Sequence, residues 1–263
     1  MAVLQERRVL QPGECHVWWA RSTDFSPFLI HLFDQDERKR FHAYRFSADR
    51  DRFAVACGVM RLGLASYSGQ PPESIPISRS CPQCGKPHGK PEVTNLSPPG
   101  IQFSISHAGD RVIVAFAVNT PVGVDVEEVF SEWSGESVAE AALTVGEMRA
   151  FSRIKEAERA AGFLTYWTQK EAVVKAVGEG FTIPPNRFSV SGRSDSPQLL
   201  SWPRDPGLLR RISLYDLSPG PDTVASLAVL GGCCRIRYLD GSALIGDWCG
   251  RDRADSSIRG PSL

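Results

Sequence analysis

The pattern of apolar and polar residues divides the chain into alternating helical and extended regions. Apolar positions recur at helical spacing over residues 34–66, with Phe46 and Phe53 among the expected core contacts. Residues 68–100 are rich in Pro, Gly and Ser, which predicts a long loop. The period then changes to two, which predicts a meander of strands beginning at residue 101 and continuing at 112–118 and 122–126.

The second half of the chain repeats this order. Helical spacing returns over residues 136–178 and is followed by strand patterns at 187–191, 209–216, 223–230 and 234–239. The order helix, strands, helices, strands predicts a two-layer α+β fold with two halves of similar plan. We expect an N-terminal subdomain at 1–120 and a C-terminal subdomain at 121–240. The Gly-, Asp- and Ser-rich tail at 241–263 is expected to be poorly ordered.

One predicted helix carries charges on its apolar side. Phe163 and Trp167 lie on one arc of this helix, and Lys170 projects into the middle of that arc. Glu171 and Lys175 lie one turn apart along its edge. Because an unpaired buried charge is costly, this arrangement predicts a binding site. The alternative is an exposed Glu171–Lys175 ion pair on a wide amphipathic helix.

A pair of acids stands at the end of a predicted strand. Asp125 and Glu127 are two residues apart, so they point to the same face and repel one another unless a cation or proton bridges them. Carboxylate oxygens suit Mg²⁺, although the pair alone could equally be solvated acids at a strand end. Together with Glu171, Lys170 and Lys175, the acids predict a site that holds a polyanion through a metal ion.

Two further motifs are weaker. Ser106 and His107 close a strand at a turn and could donate hydrogen bonds to a phosphate, but a lone histidine at a turn is more often structural or exposed. Cys81 and Cys84 resemble half of a zinc ribbon, for which His88 and the distant cysteines at 233 and 234 make an incomplete ligand set. A reduced cysteine pair within a loop is the alternative.

Bulk composition excludes several classes of protein. Thirty basic residues balance thirty acidic ones, which disfavours a nucleic-acid binder that relies on overall positive charge. No apolar run approaches the roughly 18 residues of a membrane span, and the charged N-terminus does not resemble a secretory signal. Seven cysteines without such a signal indicate reduced thiols. We therefore expect a cytoplasmic protein that binds neither nucleic acid nor membrane.

Four motifs in register resemble the Sfp-type 4′-phosphopantetheinyl transferases. They are His-Gly-Lys-Pro at 88–91, Phe-Ser-Ile-Ser-His at 103–107, Gly-Val-Asp-Val-Glu at 123–127 and Trp-x-x-Lys-Glu-Ala-x-x-Lys at 167–175. The resemblance implies two subdomains related by a pseudo-twofold axis, each with a helix packed on an antiparallel sheet. It also implies a monomer that takes coenzyme A between the halves and transfers its phosphopantetheine group to a serine of an apo acyl or peptidyl carrier protein.

The resemblance also implies roles for individual residues. For the general base, the resemblance implies either Glu147 or Glu171 and does not decide between them. Two other functions stay open as rivals: a Mg²⁺-dependent phosphohydrolase acting on a nucleotide, and a zinc-ribbon binding module. The implied Mg²⁺ ligands are Asp125, Glu127 and Glu171, and the implied contacts to coenzyme A are Lys175, His107, Lys90, Ser106, Lys170, Arg40 and Arg52.

Overall fold

The computed structural model describes residues 8–258 except 81–84, 87–88, 98, 131–134, 179, 181–182, 194, 219 and 221. Cys81, Cys84 and His88, the candidate zinc ligands, lie outside the described residues, so the zinc hypothesis stays a hypothesis. None of the helices in the described part is long and apolar enough to span a membrane.

The first half of the chain forms helices packed on an antiparallel sheet. Its strands are β1 (Glu14–Arg21), β2 (Ile77–Ser78), β3 (Glu92–Val93), β4 (Ile101–Ala108) and β5 (Arg111–Val118). Its helices are α1 (Phe28–His31), α2 (Gln35–Ala43) and α3 (Ser47–Ser68).

The second half contains an equivalent series of strands and helices. Its strands are β6 (Val122–Glu128), β7 (Ser189–Val190), β8 (Leu199–Ser201), β9 (Ile212–Leu217) and β10 (Thr223–Leu230). Its helices are α4 (Glu136–Ala142), α5 (Val145–Phe151) and α6 (Glu156–Val177). The chain ends with β11 (Arg235–Asp240) and α7 (Gly241–Ile258).

The two halves have the same plan. The first sheet contains the order β1-β5-β4 and the second the order β6-β10-β9, all antiparallel, so each strand of one half has a counterpart in the other. A helix of 22 residues covers each sheet, α3 in the first half and α6 in the second. A shared apolar layer that includes Val17, Ile113, Val124 and Leu227 joins them. The predicted α+β fold with two similar subdomains is confirmed.

The predicted helix at 34–66 is interrupted. Asp34 begins α2 as its N-cap, and the side chain of Glu37 completes the capping box. The chain is extended at Tyr44 and Phe46 before α3 begins. This break turns the Phe46 side chain outward, so it is 63% exposed and not the core contact that the spacing predicted.

The C-terminal segment differs from expectation in two ways. The strand β11 was assigned to the second subdomain, yet it pairs in parallel with β1 of the first, Glu14 opposite Arg235. Residues 241–258 of the tail form α7, and its Leu244 and Ile245 side chains are buried in the core beneath α3. By covering the outer edge of β1, β11 satisfies backbone groups that an edge strand would leave unpaired.

Candidate active site

The candidate site lies where the two halves meet. Strand β4 of the first half runs beside β6 of the second, and the Ser104 hydroxyl accepts a hydrogen bond from the Val124 amide at 3.1 Å across this seam. Helix α6 packs directly on β6 at Gly123. A Cβ atom on Gly123 would lie 2.0 Å from the carbonyl oxygen of Ala172 and 2.4 Å from the amide nitrogen of Ala176. The seam therefore brings β4, β6 and α6 together.

Asp125 is the centre of this region. Its side chain is only 4% exposed, and its Oδ1 atom accepts hydrogen bonds from the Ser106 hydroxyl and the Lys175 ammonium, both at 2.7 Å. Lys175 also donates to the carbonyl oxygen of Val124 at 3.1 Å. The Oδ2 atom is buried and has no hydrogen-bond partner among the described residues. This orphaned oxygen is the acceptor to which a ligand can bind.

Glu127 and Glu171 share this environment. Burial, followed by the charge of Asp125, raises the pKa of Glu127, while a hydrogen bond from Trp167 and the charge of Lys175 oppose the rise. Burial also raises the pKa of Glu171, to about 7; Lys175 opposes this rise, and Asp125 and Glu127 add to it. The three carboxylates thus repel one another, which is the expected behaviour of an acidic cluster that lacks a cation.

The side chains do not form a ready-made cation cage. Within the described residues no group of three or more His, Cys, Asp or Glu side chains is placed to hold a metal ion. One reason is that the Lys175 ammonium binds Asp125 and supplies part of the positive charge. The donor set nevertheless fits a hard divalent cation, because an unpartnered buried Oδ2 atom of Asp125 lies in an oxygen-rich, mutually repelling cluster.

The first half contributes His107 and Arg52. Burial lowers the pKa of His107, and the charges of Arg52 and Lys175 lower it further, so both cations lie within electrostatic reach of this histidine. The Nη1 atom of Arg52 lies 3.5 Å from the Asp49 carboxylate, and its buried Nε atom has no hydrogen-bond partner among the described residues. The predicted contacts Ser106, His107 and Arg52 are thus brought close to Lys175.

Arg40 belongs to α2 in the first half. It is half-buried on α2, where its charge and that of Arg52 both reach the hydroxyl of Tyr44 and oppose the rise that burial causes in the tyrosine pKa. Arg40 and Arg52 therefore both lie near Tyr44.

Lys90 ties the loop between β2 and β4 to the seam. Its ammonium donates to the carbonyl oxygens of Val122 and Lys175, both at 2.9 Å, which joins the first half to β6 and α6. Burial lowers the pKa of Lys90 to about 8; the neighbouring charge of Lys175 also lowers it, and that of Glu92 opposes the change. The structure brings this predicted residue to the edge of the site.

The lowered pKa of Lys90 predicts a pH dependence of stability. An unfolded chain holds the Lys90 proton up to its ordinary pKa of 10.5, whereas the folded chain releases it near 8. The contribution of Lys90 to the free energy of unfolding should therefore rise between pH 8 and 10.5 and stay level below 8. Denaturant melts of wild type and Lys90→Met across this range measure it. A difference between the two proteins that does not change with pH would contradict the prediction.

Two predicted site residues lie elsewhere. The Lys170 ammonium is fully buried and bonds to the Glu147 carboxylate at 2.8 Å and to the carbonyl oxygens of Pro185 and Phe188, both at 2.6 Å. All three of its donors are thus used. Glu147 is only 5% exposed and caps α5. Lys170 and Glu147 therefore bind each other inside the protein and lie outside the cluster around Asp125. The predictions that Lys170 binds the cofactor and that Glu147 is catalytic stay predictions.

Sequence reasoning missed two contributors. Ser104 bonds to the amide of Val124, and the alternating pattern that placed Ser106 on one face of β4 places Ser104 on the same face. Trp167, which the sequence places on the apolar arc of its helix, donates a hydrogen bond to Glu127. Its position one turn before Glu171 was the available signal.

Comparisons with known proteins identify the family of the chain. A family model described as 4′-phosphopantetheinyl transferase superfamily matches residues 121–222, and one described as 4′-phosphopantetheinyl transferase, N-terminal, matches residues 16–119. Together they cover most of the chain and divide it at the boundary between the two sheets.

Several curated proteins are similar. The 4′-phosphopantetheinyl transferase HetI of Nostoc is 26% identical over 207 residues, which covers 77% of this chain and 81% of HetI. A phosphopantetheinyl transferase of Thraustochytrium is 29% identical, covering 78% of this chain and 76% of that protein. The 4′-phosphopantetheinyl transferase gsp of Aneurinibacillus migulanus is 35% identical, covering 61% of this chain and 62% of that protein. The chain belongs to the 4′-phosphopantetheinyl transferase superfamily.

Proposed function

We propose that this chain transfers the 4′-phosphopantetheine group of coenzyme A to a serine hydroxyl of an apo acyl or peptidyl carrier protein and releases adenosine 3′,5′-bisphosphate. The observation that carries the proposal is the buried cluster of Asp125, Ser106 and Lys175, in which one carboxylate oxygen has no partner among the described residues. Membership of the superfamily supports the choice of substrate.

We propose that Asp125, Glu127 and Glu171 hold a Mg²⁺ ion. When bound, such an ion neutralises the negative charge of a pyrophosphate and polarises the phosphorus that is attacked. The raised pKa values of Glu127 and Glu171 support this assignment, because burial and the repulsion between the carboxylates raise them and a bound cation would offset both.

The cations of the site provide the remaining charge. Lys175 faces Asp125, and His107 and Arg52 are its neighbours, so a phosphate chain lying along β4 would meet donors from both halves. In the reaction a bond forms between the serine oxygen of the carrier and the attacked phosphorus, and the bond from that phosphorus to the leaving bisphosphate breaks. Fixed cations stabilise the charge that develops on the leaving oxygen.

We propose that Glu171 is the general base that removes the proton from the carrier serine. The alternative base, Glu147, accepts hydrogen bonds from the amides of Thr144 and Val190 as well as from Lys170, so it has no free oxygen directed to the site. Glu171 instead has Asp125, Glu127 and Lys175 as charged neighbours, so its carboxylate is the one of the two that lies in the cluster around Asp125. The carrier supplies the nucleophile, and the enzyme needs none of its own.

Partners and setting are part of the same proposal. We propose that the protein acts as a cytoplasmic monomer, that its macromolecular partner is a carrier protein of a polyketide, nonribosomal-peptide or fatty-acid pathway, and that it binds neither nucleic acid nor membrane. The two rival functions gain no support, since the matching family models and the similar curated proteins are all phosphopantetheinyl transferases.

A mass assay tests the proposal. Incubation with coenzyme A, MgCl₂ and a panel of apo carrier proteins should add the mass of one phosphopantetheine group to a carrier, and chelation of the metal with EDTA should abolish the addition. A carrier whose acceptor serine is replaced by alanine is the matched control. Cleavage of coenzyme A without any gain in carrier mass would favour the phosphohydrolase, and no reaction with any carrier would overturn the transferase proposal.

A further inference from the structure

We infer that Lys170 is a positioning residue for the transfer reaction: paired with Glu147, it fixes the rotation of α6 that turns Glu171 and Lys175 toward β6. The expected effect on transfer rests on the proposed function, whereas the contacts of Lys170 and Glu147 do not depend on it. The inference assigns a role to Lys170 and Glu147, two charged residues that lie outside the cluster around Asp125.

The contacts of Lys170 hold α6 from one side. Its ammonium bonds to Glu147 of α5 and to the carbonyl oxygens of Pro185 and Phe188, which precede β7, and lies 4.7 Å above the centre of the Phe188 ring. With three acceptors and a ring face around it, the charge is matched in a place where an unmatched charge would be costly. The rotation of α6 about its axis is therefore set at this residue.

Glu147 is equally committed. One of its oxygens accepts from the Thr144 amide at 2.7 Å and from Lys170, and the other accepts from the Val190 amide at 2.9 Å. The carboxylate thus joins the start of α5, the middle of α6 and strand β7. It acts as the counter-ion that fixes Lys170.

The first half contains the same device. Arg61 occupies the fifteenth position of α3, as Lys170 does in α6, and both side chains are fully buried. Arg61 bonds to Glu37 at 2.6 Å, and Glu37 completes a capping box in α2 just as Glu147 does in α5. Arg61 also donates to two carbonyl oxygens beyond its helix, those of Pro72 and Ile75. A buried cation held by a capping-box glutamate is therefore a repeated feature of the fold.

The first anchor has two further ion pairs, Arg61 with Asp34 and Arg79 with Glu37, but the difference that bears on the site is the residue that follows each anchor. Leu62 follows Arg61 and is a core residue, whereas Glu171 follows Lys170 and faces the acidic cluster. Successive helical residues are about 100° apart, so any turn of α6 about its axis displaces Glu171 directly, and Lys175 with it. Only in the second half does the anchor control proposed Mg²⁺ ligands, since Arg52, the site residue on α3, is proposed to contact phosphate and not the metal.

The test uses substitutions that separate positioning from stability. Lys170→Met removes the charge and leaves Glu147 buried without its partner, so Tm should fall. The double variant Lys170→Met/Glu147→Gln removes both charges and should recover part of that Tm. In both variants, calorimetric titration with MgCl₂ should show affinity weakened by about 10- to 100-fold, as is typical when a group that orients metal ligands is lost. Turnover of coenzyme A should fall with it.

The first half provides the matched control. Arg61→Met/Glu37→Gln should lower Tm through the equivalent anchor while leaving the affinity for MgCl₂ within about twofold of wild type. An equal loss of Mg²⁺ affinity in this control would overturn the inference, because the effect would then follow stability alone. So would a Lys170→Met/Glu147→Gln variant with the Mg²⁺ affinity and turnover of wild type.

Glu147→Gln alone distinguishes a counter-ion from a base. A positioning role predicts weaker Mg²⁺ binding together with slower turnover. A loss of turnover of about 100-fold or more with unchanged Mg²⁺ affinity would identify Glu147 as the general base and overturn the inference. If wild type modifies no carrier, the proposed function fails, while the Mg²⁺ titrations still decide whether Lys170 positions α6.

Discussion

Asp125→Asn is expected to lower kcat/KM for phosphopantetheine transfer by about 10²- to 10³-fold, the range seen when one fixed electrostatic contributor is removed from an active site. Asparagine keeps the size of the side chain and an acceptor for the Ser106 hydroxyl. It loses the negative charge that faces the Lys175 ammonium at 2.7 Å, and it replaces the unpartnered Oδ2 atom. Mass spectrometry of the carrier against time measures the rate.

The fold should survive this change. Val124 and Val126, the neighbours of Asp125 on β6, point to the opposite face of the strand and pack in the apolar layer between the sheets. The substitution does not change these contacts. Circular dichroism and Tm close to those of wild type are therefore expected. Asp110→Asn is the matched control, because that aspartate is half-exposed at the β4–β5 turn and should leave transfer unchanged. Wild-type transfer by Asp125→Asn would remove the residue from the proposed metal site.

Periodicity predicted the strand side of this site well. An alternating pattern fixes which side chains share a face, so Asp125 and Glu127 were expected together, and both lie in the charge cluster. The spacing of α6 likewise predicted that Lys170 enters the apolar side of its helix, and Lys170 is fully buried.

Periodicity could not predict the partner of a buried charge. Whether Lys170 serves a ligand or the protein depends on Glu147 and on the carbonyl oxygens of Pro185 and Phe188, which are distant in the sequence and carry no periodic signal. The repeated pairing of Arg61 with Glu37 was similarly hidden, since the two halves share a plan but no recognisable sequence repeat.

Composition misled at the C-terminus for a related reason. The abundance of Gly, Asp and Ser after residue 241 is typical of a frayed tail, but Leu244 and Ile245 are buried beneath α3, and Trp248 and Cys249 pack against the same core. The parallel pairing of β11 with β1 joins the two ends of the chain. Such a contact is decided by which strand edge is open in the folded protein, and local patterns do not contain that information.

Gly123→Ala is expected to damage both stability and transfer. Replacing a strand glycine ordinarily stabilises by about 0.5–1 kcal/mol. Here the added Cβ atom would lie 2.0 Å from the Ala172 carbonyl oxygen and 2.4 Å from the Ala176 amide nitrogen, and neither backbone atom can move without the helix. Overpacking of this kind typically costs about 1–3 kcal/mol, so the clash outweighs the gain in chain entropy.

We expect the clash to disturb the site by displacing α6. Relieving it requires the helix to lift from β6, and Lys175, whose Cβ lies 2.9 Å from the same position, would move with it away from Asp125. Gly246→Ala is the control, since that glycine is exposed on α7 with no neighbouring atom within 4 Å among the described residues. Denaturant melts and the carrier assay should show a loss of both properties for Gly123→Ala and neither for Gly246→Ala. A stable Gly123→Ala protein with full transfer activity would mean that the close approach of α6 to β6 is not what places Lys175 against Asp125.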